Sequence, residues 1–211
     1  MKPLITGLLA LLSLPSLAET RTLDLTLTSA GGPVAGALVF FDQGPAPTPV
    51  HTEIYQKDRQ FHPPVLVIPA GSSVEFPNRD TTQHHVYSFS PAKTFELELY
   101  TDRPEAPVIF DRPGIVELGC NIHDHMQAFV LVMAHEAYGL TDTAGRVQLS
   151  VPADTNNTVT VNIWHPRLPD NTRPEQHTIR VDQPVRVSLE LTPEPTADTT
   201  LDRLQQKFRD L

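Results

Sequence analysis

Cys120, His123 and Met126 fall close together in VELGCNIHDHMQAFV, and Cys120 is the single cysteine of the chain. A lone thiol forms no internal disulfide, so it is intermolecular, reactive, buried or bound to metal. A thiolate is a soft ligand that copper and zinc accept, with imidazole completing the shell. The Cys-x2-His-x2-Met spacing places all three side chains on one tight loop between the strand-like stretches IVELG and AFVLV. A trigonal copper site of one thiolate and two imidazoles, with a distant thioether, requires a further histidine. VEFPNRDTTQHHVYSFS offers His84 and His85. In a strand these two point to opposite faces, so one of them faces the site.

Other chemistries fit less well. A dinuclear thiolate-bridged copper site requires a second cysteine, and a structural zinc site favours more thiolates and no methionine. A multicopper enzyme needs further copper domains that 211 residues do not house. No G-x-S-x-G occurs for a serine nucleophile. Cys120 as a nucleophile would leave Met126 and the strand context unexplained.

The elements that must position these residues read as strands. TLDLTLT alternates polar and apolar as a half-buried strand does, and ALVFFD follows the turn AGGPVAG. Past the Pro-rich stretch QGPAPTPV come VLVIPAG, SVEFPN, HVYSFS, FELELY, APVIFD, IVELG and AFVLVMA, and later RVQLSVP, TVTVNIWHP, HTIRV and VRVSLEL. Proline, glycine, asparagine or aspartate separates most of them. The 21 prolines and the near absence of a 3.6-residue period point to an all-β chain. LDRLQQKFRDL is the exception, with apolar residues at 201, 204, 208 and 211 that predict a short amphipathic helix.

MKPLITGLLALLSLPSLAET has the charged, apolar and small-x-small parts of a secretory signal peptide, which predicts an exported, periplasmic protein. Its apolar run is too short to span a bilayer, and no other stretch approaches the required length. The net charge is −9. That repels nucleic acid and anionic membrane surfaces and favours a basic protein partner.

GGPVAGALVFF and TDTAGRVQLSVPADTNNTVTVNIWHP resemble the two halves of a transthyretin-like or carboxypeptidase-regulatory-like β-sandwich. Between them the chain resembles the cupredoxins, the small blue copper proteins such as plastocyanin and amicyanin. FHPPVLVIPAGSSVEFPN is similar to their opening strands, QHHVYSF stands where they carry a His-Asn-Val strand, and RPGIVELGC is similar to their approach to the ligand loop. The Cys-x2-His-x2-Met spacing matches the short amicyanin-type loop.

The resemblance implies an all-β fold: a Greek-key cupredoxin sandwich, residues 51–134, inserted in or in tandem with a second small Ig- or transthyretin-like sandwich, residues 21–44 plus 136–191. Residues 1–18 form the expected signal peptide, and 192–211 a linker and short helix. The implied copper ligands are His84, Cys120, His123 and axial Met126, with Phe76, Phe89 and Phe129 as apolar lining. The implied activity is not enzymatic but one-electron transfer with a redox protein such as a c-type cytochrome. The chain departs from the family in three places, the first being His62 in the opening strand, with His51 nearby. His85 stands where the family has asparagine, and His125 where it usually has an apolar residue. With His51 and His62 these make copper handling the alternative; a non-redox interaction module is a third reading. His165, in WHP, reads as a packing and hydrogen-bonding residue.

Overall fold

The alternation in TLDLTLT becomes β1 (Thr22–Ser29), whose Leu23, Leu25 and Leu27 are all buried while the residues between them face outward or lie partly covered. The computed structural model describes residues 21–151 and 157–194. The expected signal peptide and the helix over 201–211 lie outside the described residues.

After β1 come β2 (Gly32–Pro33) and β3 (Leu38–Phe40). Ten strands follow: β4 (His51–Glu53), β5 (Tyr55–Lys57), β6 (Gln60–His62), β7 (Val65–Pro69), β8 (Ser72–Glu75), β9 (His84–Ser90), β10 (Lys93–Tyr100), β11 (Val108–Phe110), β12 (Gly114–Cys120) and β13 (Gln127–Met133). The chain continues through β14 (Tyr138–Leu140), β15 (Arg146–Ser150), β16 (Thr158–Trp164), β17 (Glu175–Arg180) and β18 (Val185–Ser188). The described residues are all-β. Among the described residues no helix is long and apolar enough to cross a membrane.

Pairing sorts these strands into two groups. The sheet β15-β1-β18, with β2 at its side, and the sheet β14-β3-β16-β17 draw only on the first three strands and the last five. The sheets β10-β9-β12-β13-β7 and β11-β8-β4, with the hairpin β5-β6, draw only on the ten strands between. Each group closes around its own core. One is aliphatic: Leu23, Leu25 and Leu27 meet Val39, Val161 and Ile163. The other joins Val86, Val116, Leu118 and Val130 to Phe76 and Phe110, and it includes Cys120 and Met126.

A third cluster joins the two groups. Leu38 and Trp164 from one sheet meet Phe129, Leu131 and Met133 from another. The Trp164 and Phe129 rings stand edge to face, with centroids 5.1 Å apart. This explains why AFVLVM is apolar without alternation. Ala128, Val130 and Val132 face the core of one sandwich, while Phe129, Leu131 and Met133 face the other sandwich. A strand covered on both sides reads as a continuous apolar run.

Candidate metal centre

Cys120 ends β12, and its thiol is buried in the core. Antiparallel pairing sets Cys120 opposite Val86 on β9. Side chains two apart on a strand share a face, so His84 points to the same side as Val86 and Cys120. The next six residues turn tightly back into β13. The His123 N–H reaches the Cys120 carbonyl (3.4 Å), and the Met126 N–H donates to the His123 carbonyl (2.9 Å). That turn returns His123 to the thiol and sends the Met126 side chain into the same core.

His84 Nδ1 lies 3.7 Å and His123 Nδ1 3.6 Å from Cys120 Sγ. The donor atoms of the three residues all lie within 4.8 Å of one another. A thiol carries one proton and can donate to only one imidazole, yet two nitrogens converge on this sulfur at nearly equal distances. With bonds of about 2.3 Å to sulfur and about 2.05 Å to nitrogen, one ion at near-tetrahedral angles would leave sulfur and nitrogen about 3.6 Å apart. The donor set therefore fits a single soft or borderline ion held by both rings and the thiolate.

The far side of the His84 ring is also fixed. Its Nε2–H donates to Asp80 Oδ2 at 2.8 Å, which leaves Nδ1 as the unprotonated nitrogen facing sulfur. Asp80 in turn accepts the N–H groups of Asp58 (2.7 Å) and Arg59 (3.0 Å), the turn of the β5-β6 hairpin. Both turn residues hold left-handed φ angles, 53° and 55°. Burial alone pushes the Asp80 carboxyl up, but the Arg59 N–H, the His84 ring and the Asp58 N–H outweigh it and hold the pKa below the ordinary value. For His123, burial first and then its neighbours His84, Arg59 and His125 push the imidazole pKa down against the opposing effect of Asp80, toward the neutral ring that can bind a metal. Tyr100 lies nearby and donates to Gln56 Oε1 at 2.7 Å. Burial, followed by the Cys120 charge, pushes its phenol up.

The remaining histidines take other places. His85 lies on the opposite face of β9. Asn121 Nδ2, one residue past Cys120, donates to its Nδ1 at 3.3 Å. Its Nε2 lies 2.8 Å from Glu96 Oε1, outside hydrogen-bond geometry. His85 thus fastens the start of the ligand turn to β9. His125 is exposed, its ring 6.3 Å from that of His123. His51 contacts Ser73 and Glu75, and His62 stacks on Tyr55. His165 is buried in the other sandwich and accepts the Arg167 N–H.

The expected apolar lining needs correction. Phe76 is in the core, but Phe89 is 79% exposed and Phe129 packs on Trp164. Phe89 has the parity of His85 along β9, and Phe129 alternates with the core residues Ala128 and Val130, so both face away from Cys120. Sequence reasoning missed Asp80 altogether. Its one local signal is a carboxylate four residues before a candidate ligand.

No protein family and no curated protein matches this chain. Solved structures similar to part of it include a Cu-containing nitrite reductase from Thermus scotoductus SA-01, at 26% identity and a TM-score of 0.36, covering 41% of this chain and 23% of that one. A mutant of amicyanin in the Cu(I) form is similar at 17% identity and a TM-score of 0.35, over 39% of this chain and 82% of that one. A purple cupredoxin from Nitrosopumilus maritimus is similar at 20% identity and a TM-score of 0.31, over 39% of this chain and 99% of that one. The chain spans less than a quarter of the nitrite reductase. TM-scores of this size leave the weight on the geometry of the site.

Proposed function

We propose that this chain is an exported blue copper protein that exchanges single electrons with a protein partner. The observation that carries the proposal is the convergence of His84 Nδ1 and His123 Nδ1, at 3.7 and 3.6 Å, on one buried thiol. Cys120 as thiolate and the imidazoles of His84 and His123 would hold the ion, with the Met126 thioether from the same core as a further, weak ligand. Bound there, copper supplies a one-electron couple between its +1 and +2 states.

The chain's own residues keep the donor set in place through that exchange. His84 and Cys120 stand on paired strands, so the β-ladder sets their spacing. Asp80 fixes the tautomer and angle of His84, and the His85–Asn121 contact holds the ligand turn at its start. The surrounding core of Val86, Leu118 and Met126 excludes water. Only His123, at the mouth, is partly exposed. A site of this build resists rearrangement between oxidation states and leaves one imidazole edge near the surface. On the same reading, the ten central strands form a cupredoxin-like unit inserted between the halves of the second sandwich.

The test is visible absorption and EPR of the copper-loaded protein with a redox titration. An intense thiolate-to-copper band that bleaches reversibly with one electron per chain is expected, and absence of the band rejects the proposal. A second reading, copper handling, draws on exposed His125 beside His123. It predicts a second, exchangeable copper that is lost in His125→Ala.

A further inference from the structure

The outer face of the sheet β10-β9-β12-β13-β7 is only half covered. Over β13 and β7 it is sealed by Leu38, Trp164 and Leu168 of the second sandwich. Over β9 and β12 it lies open. Phe89, at 79%, is the most exposed large apolar side chain among the described residues. Its ring tilts against Tyr87, centroids 5.1 Å apart. Tyr87 and Phe89 line a groove of about 400 Å³ together with Glu117, Gly119 and Phe129. The opposite wall comes from the second sandwich, through Asn171 and Thr172.

Three features separate this groove from an ordinary surface hollow. Its second wall is tied to the joint between the sandwiches, because Trp164 Nε1–H donates to the Asn171 carbonyl at 2.8 Å. The groove therefore continues an interface already formed. Its floor lies next to the proposed copper ligand. A Cβ on Gly119 would meet the Tyr87 ring at 2.8 Å, so glycine alone lets that ring lie on the main chain immediately before Cys120. Its lining carries an acidic group and no basic one. Glu117, which accepts Gln127 Nε2–H, lines it, and Glu96, beside His85 Nε2, stands across from Tyr87.

We infer that the Tyr87–Phe89 groove, walled by both sandwiches, is the docking site for a basic one-electron redox protein. The partner would seat an apolar side chain against Phe89 and set lysines or arginines against Glu96 and Glu117, an apolar centre with a charged rim. The inference rests on the proposed copper centre. The step it would serve transfers one electron and no atoms: a copper(I) ion held by His84, Cys120 and His123 would give up one electron, and a ferric haem of the partner would take it and become ferrous. The second sandwich then has a role in partner selection, since it supplies half of the groove.

Stopped-flow reduction of cytochrome c, a basic haem protein, by the copper(I)-loaded full chain tests this. The parent should react with a rate constant that falls steeply as salt is added. Glu117→Lys on one wall and Thr172→Lys on the other should each lower the low-salt rate about tenfold and flatten the salt dependence. Phe89→Ala should lower the rate at every salt concentration. Variant rates within about twofold of the parent, or a parent rate independent of salt, overturn the docking site. The visible band of each protein separates the two layers of argument. A parent without it refutes the copper reading itself. A parent and variants that keep the band, with unchanged rates, refute the groove alone.

Discussion

The two sandwiches place their polar groups differently. The core built on β1, β3, β15 and β16 is aliphatic apart from Phe41. Its buried polar groups lie apart from one another: Thr141 accepts the Ala37 N–H and donates to the Val34 carbonyl, Asn162 accepts from Gln176 while its own Nδ2 is unpartnered, and His165 accepts the Arg167 N–H. The core built on β7, β9, β12 and β13 also contains Cys120 and Met126, and Gln56, Asn78 and His84 are buried beside it. Those groups gather at one end and support one another. Asn78 Nδ2 donates to the Thr82 carbonyl, its Oδ1 accepts the Asp80 N–H, and Asp80 accepts His84. Burying polar groups costs free energy unless each finds a partner. Asn78, Asp80 and His84 form such a chain at one end of one sandwich, beside the Cys120 thiol. The aliphatic sandwich meets this one through Trp164, which packs on Phe129.

Four changes probe that difference, from largest effect to smallest. Cys120→Ser should abolish the visible copper band entirely, measured by absorption of the copper-loaded protein, because no other thiolate exists in the chain. Leu25→Ala in the aliphatic core should cost about 2–5 kcal/mol of stability. It should leave the band of the folded protein in place, as denaturant melts and spectra would show. If it bleaches the band at temperatures where the protein stays folded, the two sandwiches are not separate in role. Asp80→Asn should weaken copper binding by about 10–100-fold in competition with a chelator, because His84 loses its charged acceptor. An affinity equal to the parent's would show that the hairpin turn and Asp80 play no part in holding the ligand. His125→Ala should leave the band position and the copper stoichiometry unchanged. A loss of stoichiometry would favour copper handling over electron transfer.

Acid gives a further check on the same end of the molecule. The Asp80 pKa is lower in the folded protein than its ordinary value of 3.8. Its contribution to stability is therefore present above that ordinary value and is lost as pH falls through the lower folded value. Asp80→Asn should make the apo-protein's stability less sensitive to pH below about 4, read from denaturant midpoints.

Much of this was legible before the fold. The spacing of Cys120, His123 and Met126 fits one tight turn, and the turn observed is that one. The alternation in β1 and β15 marks the faces that close the aliphatic core. The hairpin over 55–62 was not legible, since YQKDRQFH carries neither a strong strand pattern nor glycine at its turn. Asp58 and Arg59 adopt left-handed φ there while both N–H groups bond to Asp80, more than twenty residues away. Phe89 is a different kind of miss. Its parity with His85 was visible in HHVYSFS and separates it from the ligand face once His84 is placed.

The sequence by itself determined the candidate ligand types, the length of the loop that carries three of them, and the period-two pattern that places His84 and His85 on opposite sides. These are local properties, set by chain connectivity and strand geometry. Tertiary structure decided which of the two faces meets Cys120. It also recruited Asp80 from the end of a hairpin contact and buried β13 on both sides against Trp164. Parity along a strand fixes which residues share a face, but only long-range packing decides which face is the inside.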